Sequence, residues 1–445
     1  MILWLYQALF PLVILGVLLR LVLLGRGAIL REGLAELRQR LGLPSREELG
    51  ALVEEGRPSL WVHAASVGEV RAAEPLLRRL AAAPDAPRMV VTTSTVAGRE
   101  RARAAIPEVP AVLAPMDFHP CVRAFLRRIR PAGLVLVETE LWPMTLLLCR
   151  GAGIPAALVN GRVTPRAFGR YRLLGGWTRS WLEGFRTACV QTRGDADRLA
   201  ALGMPASVIS VEGNMKYDAQ PPASERVEYA SSVLGRLGWG EDPVWVAGST
   251  RRGEEGLLLE AHALLRRAAP RARLVLAPRH PERAEEAVTE LSSRGESFIR
   301  WSELESGRPP ASPPGVLLLD RLGMLGPLYA AGRAAFVGGT LVPVGGHDLL
   351  EPARFSVPVL FGPHDSSVRE TAEALIEAGG GRRVGTPAEL ASVLEDLLLR
   401  PGAALDGGAK ALAVARSLSG ATDRTLLSLS PFLSALREGV PAEMV

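Results

Sequence analysis

The residues best suited to chemistry fall into two groups: carboxylates in the first half of the chain, and glycine, arginine and histidine in the second. In LWVHAASVGE, Leu60 to Glu69, the apolar run reads as a strand and Ala64 to Gly68 have the small side chains of a tight turn; Val70 to Leu80 reads as a helix. Glu69 therefore sits at a strand-to-helix turn. Ligands in open α/β sheets bind at that carboxyl end of the strands, and the helix macrodipole favours an ionised carboxylate in the first turn. A glutamate of ordinary pKa, about 4.3, is ionised at neutral pH and can take the proton of a hydroxyl. Glu138 and Glu140, in VETELWP, also follow an apolar strand, and by position any of the three could be the base. His63, at the start of the first turn, either contacts substrate or braces the loop.

The second group suits an anion and a sugar. Gly248-Ser249-Thr250 ends an apolar strand ahead of Arg251 and a helix starting near Gly253, and N–H groups at such a turn can hold an anion. Arg279 and His280, in APRHPER, lie just past another strand, where arginine can fork onto a phosphate. In FVGGTLVPVGGHDLLE, Phe336 to Glu351, the pairs Gly338-Gly339 and Gly345-Gly346 let backbone approach a ligand closely. His347 and Asp348 lead into a helix on which Glu351 can accept hydrogen bonds from two vicinal hydroxyls, as acidic residues hold a ribose. Asp195-Ala196-Asp197 has the Asp-x-Asp spacing of metal-dependent sugar transfer, but it opens a helical pattern and reads as an N-cap. No GxxxxGK(S/T), strand-linked GxGxxG, HExxH or CxxC occurs, so nucleoside triphosphate hydrolysis, dinucleotide redox chemistry and a metal centre lose support.

These residues need a scaffold, and the pattern supplies one. Candidate strands are LWVHA, 89–93, 109–115, 133–138, 156–160 and 187–192, with helical stretches between, such as Pro120 to Arg130 and Ala196 to Leu202. A polar, proline-containing segment, 218–228, interrupts the alternation, which restarts at 243–249, 273–279, 297–301, 315–320, 334–339 and 358–363. Continuously apolar strands alternating with helices predict parallel sheets covered on both faces. Two successive units of similar size predict two facing doubly wound α/β domains with a cleft between them. Helical pattern continues from Leu412 onward and is expected to pack back across the first domain.

Composition limits the partners. Only two of the 52 basic residues are lysine, Lys216 and Lys410, and asparagine is limited to Asn160 and Asn214. So strong a bias reflects coding preference, so the arginine count says little, whereas Lys216, Asn214 and Asn160 stand against the bias and mark positions that need those side chains. Cys121, Cys149 and Cys189 lack metal-ligand spacing and read as buried cytosolic thiols. Residues 2–24 carry one charge, Arg20, and are about long enough to cross a bilayer core. With Arg26, Arg31, Arg38 and Arg40 following, they predict an uncleaved anchor with the body of the protein in the cytoplasm. Arg162, Arg166, Arg170, Arg172 and Arg179, interleaved with Phe168, Tyr171, Trp177 and Trp181, suit an anionic lipid surface rather than nucleic acid.

Taken together and in order, HAASVGE, VETELWP, GNMKYD, APRHPER and GGHDLLEP resemble the Kdo transferases, GT-B glycosyltransferases of lipopolysaccharide assembly, from about Leu60 to Pro363. The resemblance implies transfer of 3-deoxy-D-manno-octulosonic acid (Kdo) from CMP-Kdo to lipid A precursor (lipid IVA) at the inner membrane. It makes Glu69 the general base, with Glu138 and Lys216 assisting the transition state. It places CMP on Arg279 and His280, on the Leu322-Gly323-Met324 turn, and on Asp348, Leu349, Leu350 and Glu351; Ser249, Gly346 and His347 complete the expected donor site. Asp348 stands where the family usually has Asn, a departure that bears on the contact to ribose or phosphate. The implied layout is an anchor at 1–25, an acceptor domain at 35–217, a CMP-sugar domain at 229–420 and a returning helix at 421–445. The implied reaction is an inverting displacement without metal or cofactor, in which Lys216, Arg279 and strand-end N–H groups meet the leaving phosphate. The alternatives are a GT-B enzyme using a UDP-sugar and a non-catalytic, membrane-anchored glycolipid-binding protein.

Overall fold

The computed structural model describes residues 27–50, 59–139, 141–218, 224–307, 310 and 312–438, the side chains of 27–32 and 438 excepted. The expected anchor and Glu140 lie outside the described residues. The chain divides into two compact units, with boundaries after residue 219 and after Leu418.

Among the described residues, the first unit holds a sheet of seven strands, β1 (Ser59–His63), β2 (Met89–Thr93), β3 (Ala111–Leu113), β4 (Pro131–Val137), β5 (Ala156–Gly161), β6 (Phe185–Val190) and β7 (Ile209–Val211). They are parallel, in the order β3-β2-β1-β4-β5-β6-β7. The order reverses between β1 and β4, and doubly wound sheets bind ligands beyond the carboxyl ends of the strands at such a switch point. Helix α1 (Val67–Ala82) follows β1, α2 (Pro143–Gly151) follows β4 and α3 (Arg193–Ala201) follows β6. In α1, Val70, Ala73, Leu77 and Leu80 recur at helical spacing and are buried, which fixes its apolar stripe on the sheet.

Alternation along the central strands fills two cores. Trp61, Leu134, Leu136 and Leu158 pack on one face of the sheet, and Leu60, Val62, Val135, Val137 and Val159 on the other. Burying each such side chain stabilises by about 1.5–3 kcal/mol.

In the second unit the strands are β8 (Val244–Thr250), β9 (Arg273–Pro278), β10 (Phe298–Arg300), β11 (Val316–Leu318), β12 (Ala334–Val337), β13 (Val359–Phe361) and β14 (Gly381–Arg383). They too are parallel, ordered β10-β11-β9-β8-β12-β13-β14, with the switch point between β8 and β12. The helices that concern the site are α4 (Glu254–Ala268), α5 (Leu325–Ala331) and the short α6 (Leu350–Ala353); α7 (Pro401–Leu418) ends the unit. After a break at Ser419-Gly420, where Gly420 has φ +85°, α8 (Ala421–Glu438) belongs to the first unit. Its Leu429, Phe432 and Leu433 enter the core with Val135 and Met215. A Cβ at Gly133 would lie 2.7 Å from Leu436 and 2.9 Å from Phe432, so α8 requires glycine there.

The structure corrects several local expectations. The edge strands β7 and β14 are three residues long and polar or exposed, too short for periodicity to reveal. The strand expected over 109–115 shrinks to β3 because Pro110 and Pro115 bracket it and lack the N–H a ladder needs. The polar break at 218–228 is not all linker, since Ser224–Arg236 is helical. Asp195 is not an N-cap: Thr192 caps α3, one turn earlier, and Asp195 is buried, accepting from Val163 N at 2.8 Å and Arg198 at 2.9 Å. Of the interleaved stretch, Trp181 is buried and Trp177 and Tyr171 meet it edge-on, while Arg166, Arg170, Arg172 and Leu173 face outward. Among the described residues no helix is long and apolar enough to cross a membrane.

Candidate active site

Glu69 stands on the first turn of α1, directly after β1, beside the switch point. Ser66 is the N-cap, accepting from Glu69 N at 3.3 Å. The carboxylate reaches back over the same turn, accepting from Ala65 N at 2.7 Å and Ser66 Oγ at 3.0 Å. This is a variant of the capping box, and it fixes the carboxylate's direction while leaving the residue half-buried. His63 is buried, with Nδ1 2.9 Å from Thr92 Oγ1, which also accepts from Trp61 Nε1 at 2.8 Å. It braces the ends of β1 and β2.

Across the switch point, β4 and β5 run in register with Val137 opposite Val159, so Glu138 and Asn160 come next, side by side. Both have left-handed backbone, φ +61° and +52°. Lys216 Nζ lies 2.6 Å from Glu138 Oε1, with side chains 42% and 15% exposed. The sparse residues converge here: Asn214 Oδ1 accepts from Lys216 N at 3.0 Å, and Asn160 Oδ1 accepts from Met215 N at 2.9 Å. The loop beyond Glu138 is anchored by a residue the motifs did not reveal, Asp117. Buried, it accepts from Met144 N at 2.9 Å and Thr145 N at 2.7 Å at the start of α2.

In the second unit the glycine turns do something other than expected. Glu254, fully buried at the start of α4, accepts from Arg251 N at 2.8 Å, Gly339 N at 2.7 Å, Thr340 N at 3.0 Å and Leu341 N at 2.8 Å. The N–H groups of the Gly338-Gly339 turn are therefore spent inside the protein and not offered to a ligand. A Cβ at Gly338 would lie 2.5 Å from Ser249 O and 2.8 Å from Glu254 Oε2, so the glycine serves the junction of two strand ends. Gly345 and Gly346, with φ +106° and +94°, donate to Gly339 O at 3.1 and 2.8 Å and close the same loop.

The cationic residues gather around this loop. Arg251 donates from Nε to His347 Nε2 at 3.1 Å, and its Nη1 lies 3.1 Å from His280 Nε2. Burial, and then the charges of Arg251, Arg279 and His280, lower the His347 pKa to about 4, leaving it a neutral acceptor at pH 7. Among the described residues neither Arg251 nor Arg279 forms a close ion pair, although the charge of Arg279 acts on Glu351, and the cluster suits an anion. Ser249, with φ +57°, is the last residue but one of β8, two before Arg251. Leu322 is exposed, whereas Met324 is buried, and Arg226 pins their turn by donating to Gly323 O at 2.7 Å. Leu349 and Leu350 are fully buried and seat α6. Asp348 accepts from Leu350 N at 3.0 Å and pairs with Arg354 at 3.2 Å. Glu351 is half-buried; burial, and then the charge of Asp348, raise its pKa to about 7.

Two α/β units, one with carboxylates at its switch point and one with an arginine and histidine cluster at its own, do not by themselves name a reaction, and comparison decides. A family model described as 3-deoxy-D-manno-octulosonic-acid transferase (kdotransferase) matches residues 35–219. The 3-deoxy-D-manno-octulosonic acid transferase of Haemophilus influenzae is 33% identical over 84% of this chain and 87% of its own length. That of Bordetella pertussis is 35% identical over 84% and 87%. The chain belongs to the Kdo transferase family. It is thus a glycosyltransferase of lipopolysaccharide core biosynthesis. Among solved structures, a UDP-N-acetylglucosamine 2-epimerase from Neisseria meningitidis is similar in fold, with TM-score 0.57 at 13% identity over 84% of this chain and 100% of that one. In this Kdo transferase Arg251, Glu254, Asp117 and Asn160 join the expected residues. Arg251 was visible from its strand end and Asn160 from the scarcity of asparagine, whereas Asp117 and Glu254 act on backbone groups distant in sequence.

Proposed function

We propose that this Kdo transferase moves Kdo from CMP-Kdo to lipid A precursor by a metal-independent, inverting displacement with Glu69 as general base. The observation that carries the reading is the oriented Glu69 carboxylate at one side of the switch point, with the Glu138–Lys216 pair at the other. The Glu69 carboxylate takes the proton of the acceptor hydroxyl. The oxygen forms a bond to the anomeric carbon, and the bond from that carbon to the phosphate oxygen breaks, CMP leaving with the electron pair. Lys216 and Arg279 answer the negative charge that develops on the phosphate, joined by Arg251 in place of the N–H groups held by Glu254. The apolar sequence of residues 2–24 and the arginines that follow it favour a place at the inner membrane, with the catalytic units in the cytoplasm. Outward-facing Arg166, Arg170 and Arg172 support the placement against anionic lipid.

Glu351 supplies a test of the donor side. To accept from two ribose hydroxyls it must be ionised, and its pKa stands near 7. CMP is therefore expected to bind about tenfold more weakly at pH 6 than at pH 8 by calorimetry, beyond whatever remains in Glu351→Gln. Asp348→Asn removes the like charge and should flatten that dependence; UDP should not compete. In ligand-free protein the sign reverses. The carboxyl is raised above its usual 4.5, so the stability it lends is present below 4.5 and lost as pH rises through about 7. Equal CMP affinity at both pH values would remove Glu351 from the ribose.

A further inference from the structure

We infer that Asn160 is a positioning residue for transfer, holding Lys216 on Glu138 through a closed ring of hydrogen bonds; the inference rests on the proposed roles of those two residues. Lys216 Nζ meets Glu138 Oε1 at 2.6 Å. Asn160 Nδ2 lies 3.5 Å from the same oxygen, and Asn160 Oδ1 accepts at 2.9 Å from the N–H of Met215, the residue before Lys216. One amide thus touches both the carboxylate and the backbone that carries the ammonium. The turn Met215–Asp218 is held elsewhere by Asp218, which accepts from Gly420 N at 2.6 Å and Thr422 N at 2.5 Å, and it packs against α1, the helix bearing Glu69.

The residue type follows from the chemistry. At neutral pH, where an aspartate would be ionised and could only accept, an amide is the planar group of this size that both donates and accepts, and Asn160 is 1% exposed, so an unmatched atom would be costly. Its φ of +52° is also tolerated by asparagine better than by most residues. A backbone requirement alone would be met as well by glycine. A need for the amide would not.

Two variants separate these cases. Asn160→Gly keeps the backbone and removes the amide; Asn160→Asp keeps the acceptor for Met215 N–H and sets a carboxylate against Glu138. In Asn160→Gly, kcat for Kdo transfer is expected to fall about tenfold or more at nearly unchanged KM for CMP-Kdo, the scale of a displaced catalytic group. Asn160→Asp should recover activity relative to wild type as pH is lowered, since its protonated carboxyl again donates to Glu138; Asn160→Gly should show no such recovery. A second readout needs no turnover. The chain has two lysines, and Lys410, paired with Asp406 at 2.6 Å, is an internal reference. Competitive acetylation read by mass spectrometry should label Lys216 about threefold faster against Lys410 in Asn160→Gly, the scale of a part-exposed ion pair. Unchanged kcat in folded Asn160→Gly, a wild-type pH profile in Asn160→Asp, or unchanged Lys216 labelling would each overturn the inference. Wild-type protein that transfers no Kdo, yet shows the labelling change, would instead sink the proposed function and leave the ring standing.

Discussion

Replacing Glu69 by glutamine is expected to lower kcat for Kdo transfer by roughly 100-fold or more, the contribution of a well-placed general base, with little change in melting temperature. The structure explains why the fold should survive. Glutamine keeps one acceptor oxygen for Ala65 N, and its amide can donate to Ser66 Oγ, reversing the bond that Ser66 now makes to the carboxylate. The N-cap bond from Glu69 N to Ser66 Oγ is untouched. What disappears is proton affinity. KM for CMP-Kdo should hold, because the role proposed for Glu69 is on the acceptor. Near-normal turnover, with stopped-time assays at saturating donor, would pass the role to Glu138 or Glu140; of these, Glu138 starts at a disadvantage, its Oε1 already occupied by Lys216 at 2.6 Å.

Lys216→Ala should cost about 10²- to 10³-fold in kcat, in line with removing one preorganised donor from a developing anion. Two effects combine: the ammonium is gone, and Glu138, whose side chain is only 15% exposed, keeps a charge without its partner. Stability should fall by no more than about 1 kcal/mol, since Lys216 itself is 42% exposed. Lys216→Ala combined with Glu138→Gln tells whether the pair works as a unit. If it does, the double variant loses hardly more activity than Lys216→Ala alone; losses that multiply would make the two residues independent.

The sequence already carried the framework of both units, because central strands of a parallel sheet are continuous apolar runs and their carboxyl ends carry the ligand residues. Glu69, Glu138 and Arg279 could be read at those ends, and His347 at the start of a helix beyond the glycine loop. The bias against lysine and asparagine was itself a signal, since Lys216, Asn214 and Asn160 stand out from it and come together in space. Illegible were interactions that join distant segments through backbone. Glu254 looks like an ordinary first-turn acid of α4, and nothing in TRRGEEG says that it will absorb the N–H groups of residues 85 to 87 positions later. The glycines of 338–346 were for that reason read as a ligand cradle, whereas they allow strand ends and a loop to close on that carboxylate. Phe168, Tyr171, Trp177 and Trp181 were likewise read as a surface, although Trp181 is core.

The most direct test of the account is one assay: purified full-length protein, CMP-Kdo and lipid A precursor incubated with EDTA, the product read by mass spectrometry. A precursor gaining whole Kdo units at a rate unaffected by the chelator is the expected result. Activity lost to EDTA and restored by divalent metal, or a product formed from a UDP-sugar and not from CMP-Kdo, would contradict it.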